Sequence, residues 1–176
     1  MPQSHIRRQI VELLPRLRRF ALVLTRSADA ADDLVQSSVE RGLTRLDQWE
    51  AGTRLDRWMF QIMKTVWLNT CRSEGIRQTE SIEDHDLVQS VDGSRDIEAR
   101  LTLAEVREAF DRLPPDQRQA MFLVSVEGYS YREASELLHI PMGTVMSRLA
   151  RGRAALMGQA QMRETRRVPA LGMKGT

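Results

Sequence analysis

The chain carries one cysteine, Cys71, so it can form no internal disulfide. Three scattered histidines, His5, His85 and His139, cannot combine with one thiol into a Cys/His zinc site. No apolar run approaches the ~18 residues of a transmembrane helix. The N-terminal stretch Met1–Arg19 interleaves Arg7, Arg8, Arg16, Arg18 and Arg19 with apolar residues. It has no continuous hydrophobic segment and no small-residue cleavage site, so it does not read as a secretory signal. Only 10 glycines and no β-branched runs argue against an all-β chain. Aromatics are 5% of residues, which leaves core building to Leu, Val, Ile, Met and Ala. These absences point to a soluble, cytoplasmic, helical protein without a metal or other cofactor.

What is present is uneven charge. The 176 residues hold 26 basic and 24 acidic side chains, a net of +2. Residues 1–75 carry +3, residues 76–100 carry −4 and residues 101–176 carry +3. The middle block, Ile76–Asp96, has the weakest apolar periodicity and reads as an acidic linker. At 41% apolar, the composition supplies two small cores rather than one large one. The expected architecture is all-α: two small helical domains joined by a flexible acidic linker. The boundaries read as 1–74, a linker at 75–100, a second domain at 101–160, and a disordered basic tail at 161–176, frayed from about Gly158.

In the first domain Ser4 can cap a helix that Pro15 should break or kink. Leu13, Leu14, Leu17, Phe20, Ala21 and Leu24 form an apolar face. Ser27 or Asp29 can cap a second helix with Leu34, Val35, Val39, Leu43 and Leu46 inward. After a loop at Glu50–Thr53, a third helix places Leu55, Trp58, Met59, Ile62, Val66 and Thr70 near one face. Its other face carries Arg57, Gln61, Lys64, Trp67, Asn69 and Arg72, and Trp67 has no obvious core to join.

The second domain has clearer punctuation. Leu101, Leu103, Val106, Phe110 and Leu113 form an amphipathic helix that Pro114-Pro115 ends. Pro115 suits the first turn of the next helix. Gly128 suits the left-handed position after that helix. Ser130-Tyr131-Arg132-Glu133 is a capping box opening a short helix. His139-Ile140-Pro141 turns the chain into a longer helix from Met142, with Val145, Leu149 and Leu156 inward. This spacing is a helix-turn-helix. From Thr144 onward the chain holds seven basic residues against one acid, Glu164, which suits a helix lying against DNA phosphates and base edges.

Four segments together resemble bacterial sigma factors of the extracytoplasmic-function type, across roughly residues 10–160. They are Asp32–Gln36, Leu55–Ile62, Leu113–Arg118, and Tyr129–Ala134 with Gly143–Leu149. The pattern is most similar to the alphaproteobacterial general-stress subgroup. The sequence holds no phosphate-binding glycine loop, metal-ligand cluster or Ser/His/Asp arrangement, so no enzyme is expected. The resemblance implies a region 2 and a region 4, and four partners: the β′ clamp and β flap of core RNA polymerase, promoter DNA, and an anti-sigma factor. It assigns Asp32, Asp33, Leu34 and Gln36 to the polymerase clamp. It assigns Arg54, Lys64, Trp67, Asn69 and Arg72 to the −10 element, with the loop Asp47–Arg54 as the pocket for a flipped base. It assigns Tyr131, Thr144, Ser147, Arg148 and Arg151 to the −35 element.

The sequence departs from the pattern at Ser37, Ser38 and Val39, which give a smaller apolar knob, and at Met146, where the family places a cation. Trp67 has two readings: packing on the first helix, or meeting displaced bases. The linker also has two, a solvated tether or a strand through the RNA exit channel. A freestanding helix-turn-helix regulator would not need the Asp32–Gln36 face or the third helix. A sigma mimic would lack Arg148 and Arg151. Both domains carry surfaces meant for other molecules, so the free chain should be held by an anti-sigma partner or by compaction of its two domains.

Overall fold

The computed structural model describes residues 3–75 and 103–167. The segment read as a linker, Gly75 apart, lies outside the described residues, as do Leu101 and the chain after Arg167. The first half contains α1 (Gln3–Thr25), α2 (Ala28–Thr44), a 3-10 turn (Leu46–Gln48) and α3 (Leu55–Ser73). The second contains α4 (Leu103–Asp111), α5 (Pro115–Met121), a π-helical turn (Phe122–Val126), α6 (Tyr131–Leu138) and α7 (Met142–Arg167).

α1 is one helix with Pro15 inside it, which corrects the expected break. Pro15 and Val11 are both exposed, so the turn that lacks the Pro15 amide lies on the outward side of the helix. Ser4 lies within the helix rather than capping it. The buried stripe is Ile6, Ile10, Leu17, Phe20, Ala21 and Leu24.

Ser27 caps α2, its hydroxyl accepting from the Ala30 amide. The buried face is Ala31, Leu34, Ser38 and Gly42: Leu34 is inward as expected, and small residues take the places expected of Val35, Val39 and Leu43. Val35 and Val39 are half-buried and Leu43 is exposed. Small residues win here because the helices approach closely: a Cβ on Gly42 would sit 2.7 Å from Met59 Sδ. The Ser38 hydroxyl donates to the Leu34 carbonyl at 2.6 Å, so its polar atom is satisfied inside the core.

In the second half Pro115 occupies the first turn of α5, as expected. That helix widens into the π turn, where the Glu127 amide donates to the Phe122 carbonyl. Gly128 follows at φ +74°, the left-handed position expected of it. The capping box is complete: Ser130 Oγ accepts from the Glu133 amide, and the Glu133 carboxylate accepts from the Ser130 amide. His139 turns the chain at φ +57°. α7 buries Val145, Leu149 and Leu156. It continues past Gly158 to Arg167, beyond the point at which the sequence reading ends it.

The described halves pack together, and one continuous core replaces the two small ones expected. Its centre is a ladder of rings. Phe60 meets Phe20 edge-on at 5.0 Å, Phe20 stacks on Phe122 at 5.6 Å, and Phe60 meets Tyr129 edge-on at 5.9 Å. Four of the nine aromatics therefore meet where the halves join, each ring pair adding about 0.5–1.5 kcal/mol to its area burial.

Candidate nucleic-acid interface

The outward face of α2 begins with acids that complement the helix dipole. Asp32 and Asp33 are exposed. Arg18 holds Asp32 through two hydrogen bonds of 2.7 and 3.2 Å, and this pairing lowers the carboxyl pKa. Gln36 is exposed one turn on and donates to Glu40 at 3.1 Å. Leu34 instead points into the core, 5% exposed. The clamp set expected from sequence thus divides into three surface polar groups and one core residue.

On α3 the cationic face looks toward the second half. Arg54 pairs with Asp56 at 2.9 Å and with Glu133 at 2.7 Å, and its guanidinium lies 4.6 Å from the Tyr129 ring centre. Lys64 donates to the Leu138 carbonyl at the end of α6. Trp67 is half-buried and packs against the core. Asn69 and Arg72 are exposed. The structure therefore engages Arg54 and Lys64 with α6 and leaves Asn69 and Arg72 open to solvent near the end of α3.

Asp56 is central to this face. Burial alone would raise its pKa, but hydrogen bonds from Arg54 and the Arg57 amide, with the charges of Arg54 and Arg16, hold it at about 2. Burial and then the Asp56 charge push the Tyr129 hydroxyl upward. A groove of about 410 Å³ opens beside the 47–54 loop, lined by His5, Ile6, Leu13, Trp49, Thr53 and Asp56 among others. The Trp49 indole N–H is buried there without a hydrogen-bond acceptor.

Sequence reasoning did not single out several residues that join the halves. Glu127 receives Arg16 at 2.6 Å and Arg19 at 3.1 Å, with its carboxylate almost fully buried. Arg57 pairs with Glu136. One signal was available: Arg54 and Arg57 are three residues apart, and so are Glu133 and Glu136, the spacing that puts like groups on one helix face.

On α7 the −35 candidates separate by environment. Tyr131, at the start of α6, is exposed. Thr144 is half-buried, and its carbonyl accepts from the Ser147 hydroxyl at 3.0 Å. Arg151 bonds back to the Ser147 carbonyl and hydroxyl, each at 3.4 Å, and stays half-exposed. Arg148 turns inward to Asp116 at 3.3 Å, with both side chains largely buried. Met142 and Met146 are exposed on the same helix start. Among the described residues no three His, Cys, Asp or Glu side chains are grouped to hold a metal, and no helix is long and apolar enough to cross a membrane.

Residues 10–64 match the Sigma2 domain of PhyR, and residues 103–156 match sigma-70 region 4. The ECF RNA polymerase sigma factor EcfG of Rhodopseudomonas palustris is 36% identical over 153 residues, covering 86% of this chain and 82% of the relative. The chain belongs to the ECF family of RNA polymerase sigma factors. That family is one of transcription initiation factors, not of enzymes. Among solved structures, the sigma factor RpoE from Bartonella quintana, in a co-crystal with the anti-sigma factor NepR, matches with a TM-score of 0.68 at 30% identity. The match covers 88% of this chain and 95% of that one. The PhyRSL–NepR complex from Sphingomonas sp. Fr1 shares the fold, with a TM-score of 0.63, 22% identity and 96% coverage of both chains.

Proposed function

We propose that this ECF sigma factor is a cytoplasmic promoter-specificity subunit of the general-stress type, held by an anti-sigma factor until released. The observation that carries the reading is the presence in one chain of a sigma2 match at 10–64 and a region 4 match at 103–156. A relative similar over 82% of its length carries the same family name. The anti-sigma partner is inferred from the RpoE–NepR complex.

The sites follow from the surfaces. The acidic start of α2, Asp32, Asp33 and Gln36, would meet the β′ clamp, as a negative patch suits a basic partner. Leu34 would act from inside by fixing the helix. The α3 face with Arg54, Lys64, Trp67, Asn69 and Arg72 would hold the melted −10 strand, its cations on phosphates and Trp67 near bases. The groove beside the 47–54 loop is the place for a flipped base, whose extrusion costs a few kcal/mol that pocket contacts must offset. Tyr131, Thr144, Ser147 and Arg151 would meet the −35 duplex, while Arg148, turned inward to Asp116, would act by holding α7 in place, with the β flap on the other side of region 4. Region 2 is assigned to 1–74 and region 4 to 101–160, joined by the acidic linker.

The test is transcription in vitro with core polymerase, this chain and fragmented genomic DNA. Discrete starts sharing −35 and −10 sequences are expected. Specific duplex binding without binding to core polymerase would reject the reading in favour of a separate regulator.

A further inference from the structure

α7 begins with two large apolar side chains left open to water. Met142 is 50% and Met146 49% exposed, one turn apart on the same helix. Residues at that spacing are neighbours on a helix surface. Val145, Leu149 and Leu156 are buried and fix which way α7 faces. By the helical repeat, the opposite face runs through Gly143, Ser147 and Ala154. That face is low: Gly143 and Ala154 are exposed, and a Cβ on Gly143 would meet nothing within 4 Å. By the same repeat, Arg151 borders this face on one side and Met146 on the other. A cation and a thioether therefore flank one open strip of the helix.

The two borders suit different chemistry. A guanidinium donates to phosphate oxygens or to guanine O6 and N7, and a methionine has no proton to donate. The N-terminal residues of a recognition helix are the ones that reach base edges in the major groove. There the apolar group that a base pair offers is the thymine 5-methyl. A methionine side chain is unbranched and adaptable, so it can settle on such a methyl.

We propose that Met146, with Met142 beside it, reads a thymine methyl in the −35 element and is a specificity-determining residue of this chain. This rests on the reading of α7 as the −35 helix. The pair shares its strip with Arg151, in a stretch holding seven basic residues against one acid from Thr144 onward. That charge favours a DNA duplex over an apolar protein partner. An A·T pair is thereby selected without a hydrogen bond, beside the base or phosphate that Arg151 takes.

The experiment uses holoenzyme assembled with core polymerase and a fluorescein-labelled promoter duplex from one of the mapped starts. Each thymine of the −35 element, on either strand, is replaced in turn by deoxyuridine, which lacks only the methyl. One replacement should weaken binding by wild-type holoenzyme about fourfold, as expected for burying one methyl group. The loss should be the same at about 50 and about 200 mM salt, because an apolar contact releases no counterion. In Met146→Gln, close in shape but polar, the thymine and deoxyuridine duplexes should bind alike. Met146→Leu should keep most of the discrimination. Both substitutions fall on a half-exposed side chain and should leave folding and core-polymerase binding intact.

A −35 element without an A·T pair overturns the proposal, as does a deoxyuridine effect that persists in Met146→Gln. So does weaker core binding by Met146→Gln, which would give the apolar pair to a polymerase surface instead. Arg151→Ala separates the two levels. If it weakens promoter binding while no deoxyuridine effect depends on residue 146, the methyl contact is wrong and the −35 assignment stands. If Arg151→Ala and every deoxyuridine replacement leave binding unchanged, the −35 assignment itself falls, and the methyl contact with it.

Discussion

Arg118 donates its Nε–H to the carbonyl oxygen of Val23 at 2.9 Å, from α5 to the last turn of α1. Its Nη1 donates to the Leu113 carbonyl at 3.1 Å, so one buried guanidinium serves the chain ends of two helices, one in each half. Cations are favoured at helix C-termini, where carbonyls lack intrahelical partners. Burial, followed by the nearby charge of Arg26, lowers the Arg118 pKa, as expected of a cation taken out of water to do this.

Arg118→Met should therefore destabilise the chain by about 1–3 kcal/mol, since it keeps the stem and strands two carbonyls. Arg118→Lys should recover part of this, because one ammonium can reach one acceptor but not span both. Urea unfolding of the three proteins checks it. A loss below about 0.5 kcal/mol for the methionine variant, the range of an ordinary surface change, would mean the bridge contributes little.

Gly42→Ala tests the close approach of α2 and α3. Alanine favours a helix over glycine by about 1 kcal/mol. Against this, the new methyl would meet Met59 Sδ at 2.7 Å, in a side chain with no exposed surface. Overpacking costs about 1–3 kcal/mol, so the net effect should be a loss of up to about 2 kcal/mol. In a double-mutant cycle with Met59→Ala the same change should become neutral or stabilising. Thermal unfolding of the four proteins measures the coupling, and additivity would exclude the steric account.

The local punctuation was legible: Ser27 as a cap, Pro115 in a first turn, Gly128 at positive φ and the Ser130–Glu133 box are all chemistry written into single residues. The inward face of α2 was not, because Ala31, Ser38 and Gly42 are selected by how near another helix comes, which no periodicity of large apolar residues reports. Pro15 misled for a related reason. A proline costs a helix a hydrogen bond and a clash with the preceding turn, but packing of the flanking apolar stripe can outweigh both when the missing bond lies on the exposed side. Phe60 and Met63 lie near the face of α3 read as polar, yet they are buried, Phe60 against Phe20 and Tyr129. Compaction was one of two states the sequence allowed, but the acids that pair across the halves, Glu127, Glu133 and Glu136, read equally well as solvated.

Asp56 gives the folded chain a pH dependence. Its carboxyl sits at about 2 when folded, below the about 3.9 of a free aspartate. Such a group adds stability above its unfolded pKa and loses that contribution as pH falls from about 4 through about 2. With solvent screening allowed for, the contribution at neutral pH is about 1–2 kcal/mol. Asp56→Asn should be less stable than wild type by that amount at pH 7, and the gap should close on acidification toward about pH 2. A gap constant with pH would show that the asparagine acts through packing and not through charge.

Arg148 and Arg151 stand three residues apart on α7, and their surroundings predict different failures. Arg148 meets Asp116 with 13% and 9% of the two side chains exposed, so Arg148→Ala should leave a buried carboxylate unpaired. That should cost about 1–3 kcal/mol of folding stability. Arg151 spends only long contacts on its own turn, to Ser147, and can turn toward a base edge. Arg151→Ala should leave stability within about 0.5 kcal/mol of wild type. It should weaken binding to a −35 duplex by about 1–3 kcal/mol and relax specificity at one position. Melting curves and duplex titrations on both variants separate the roles. Unchanged duplex affinity in Arg151→Ala would remove that residue from the −35 set and shift base reading to Ser147 and its neighbours.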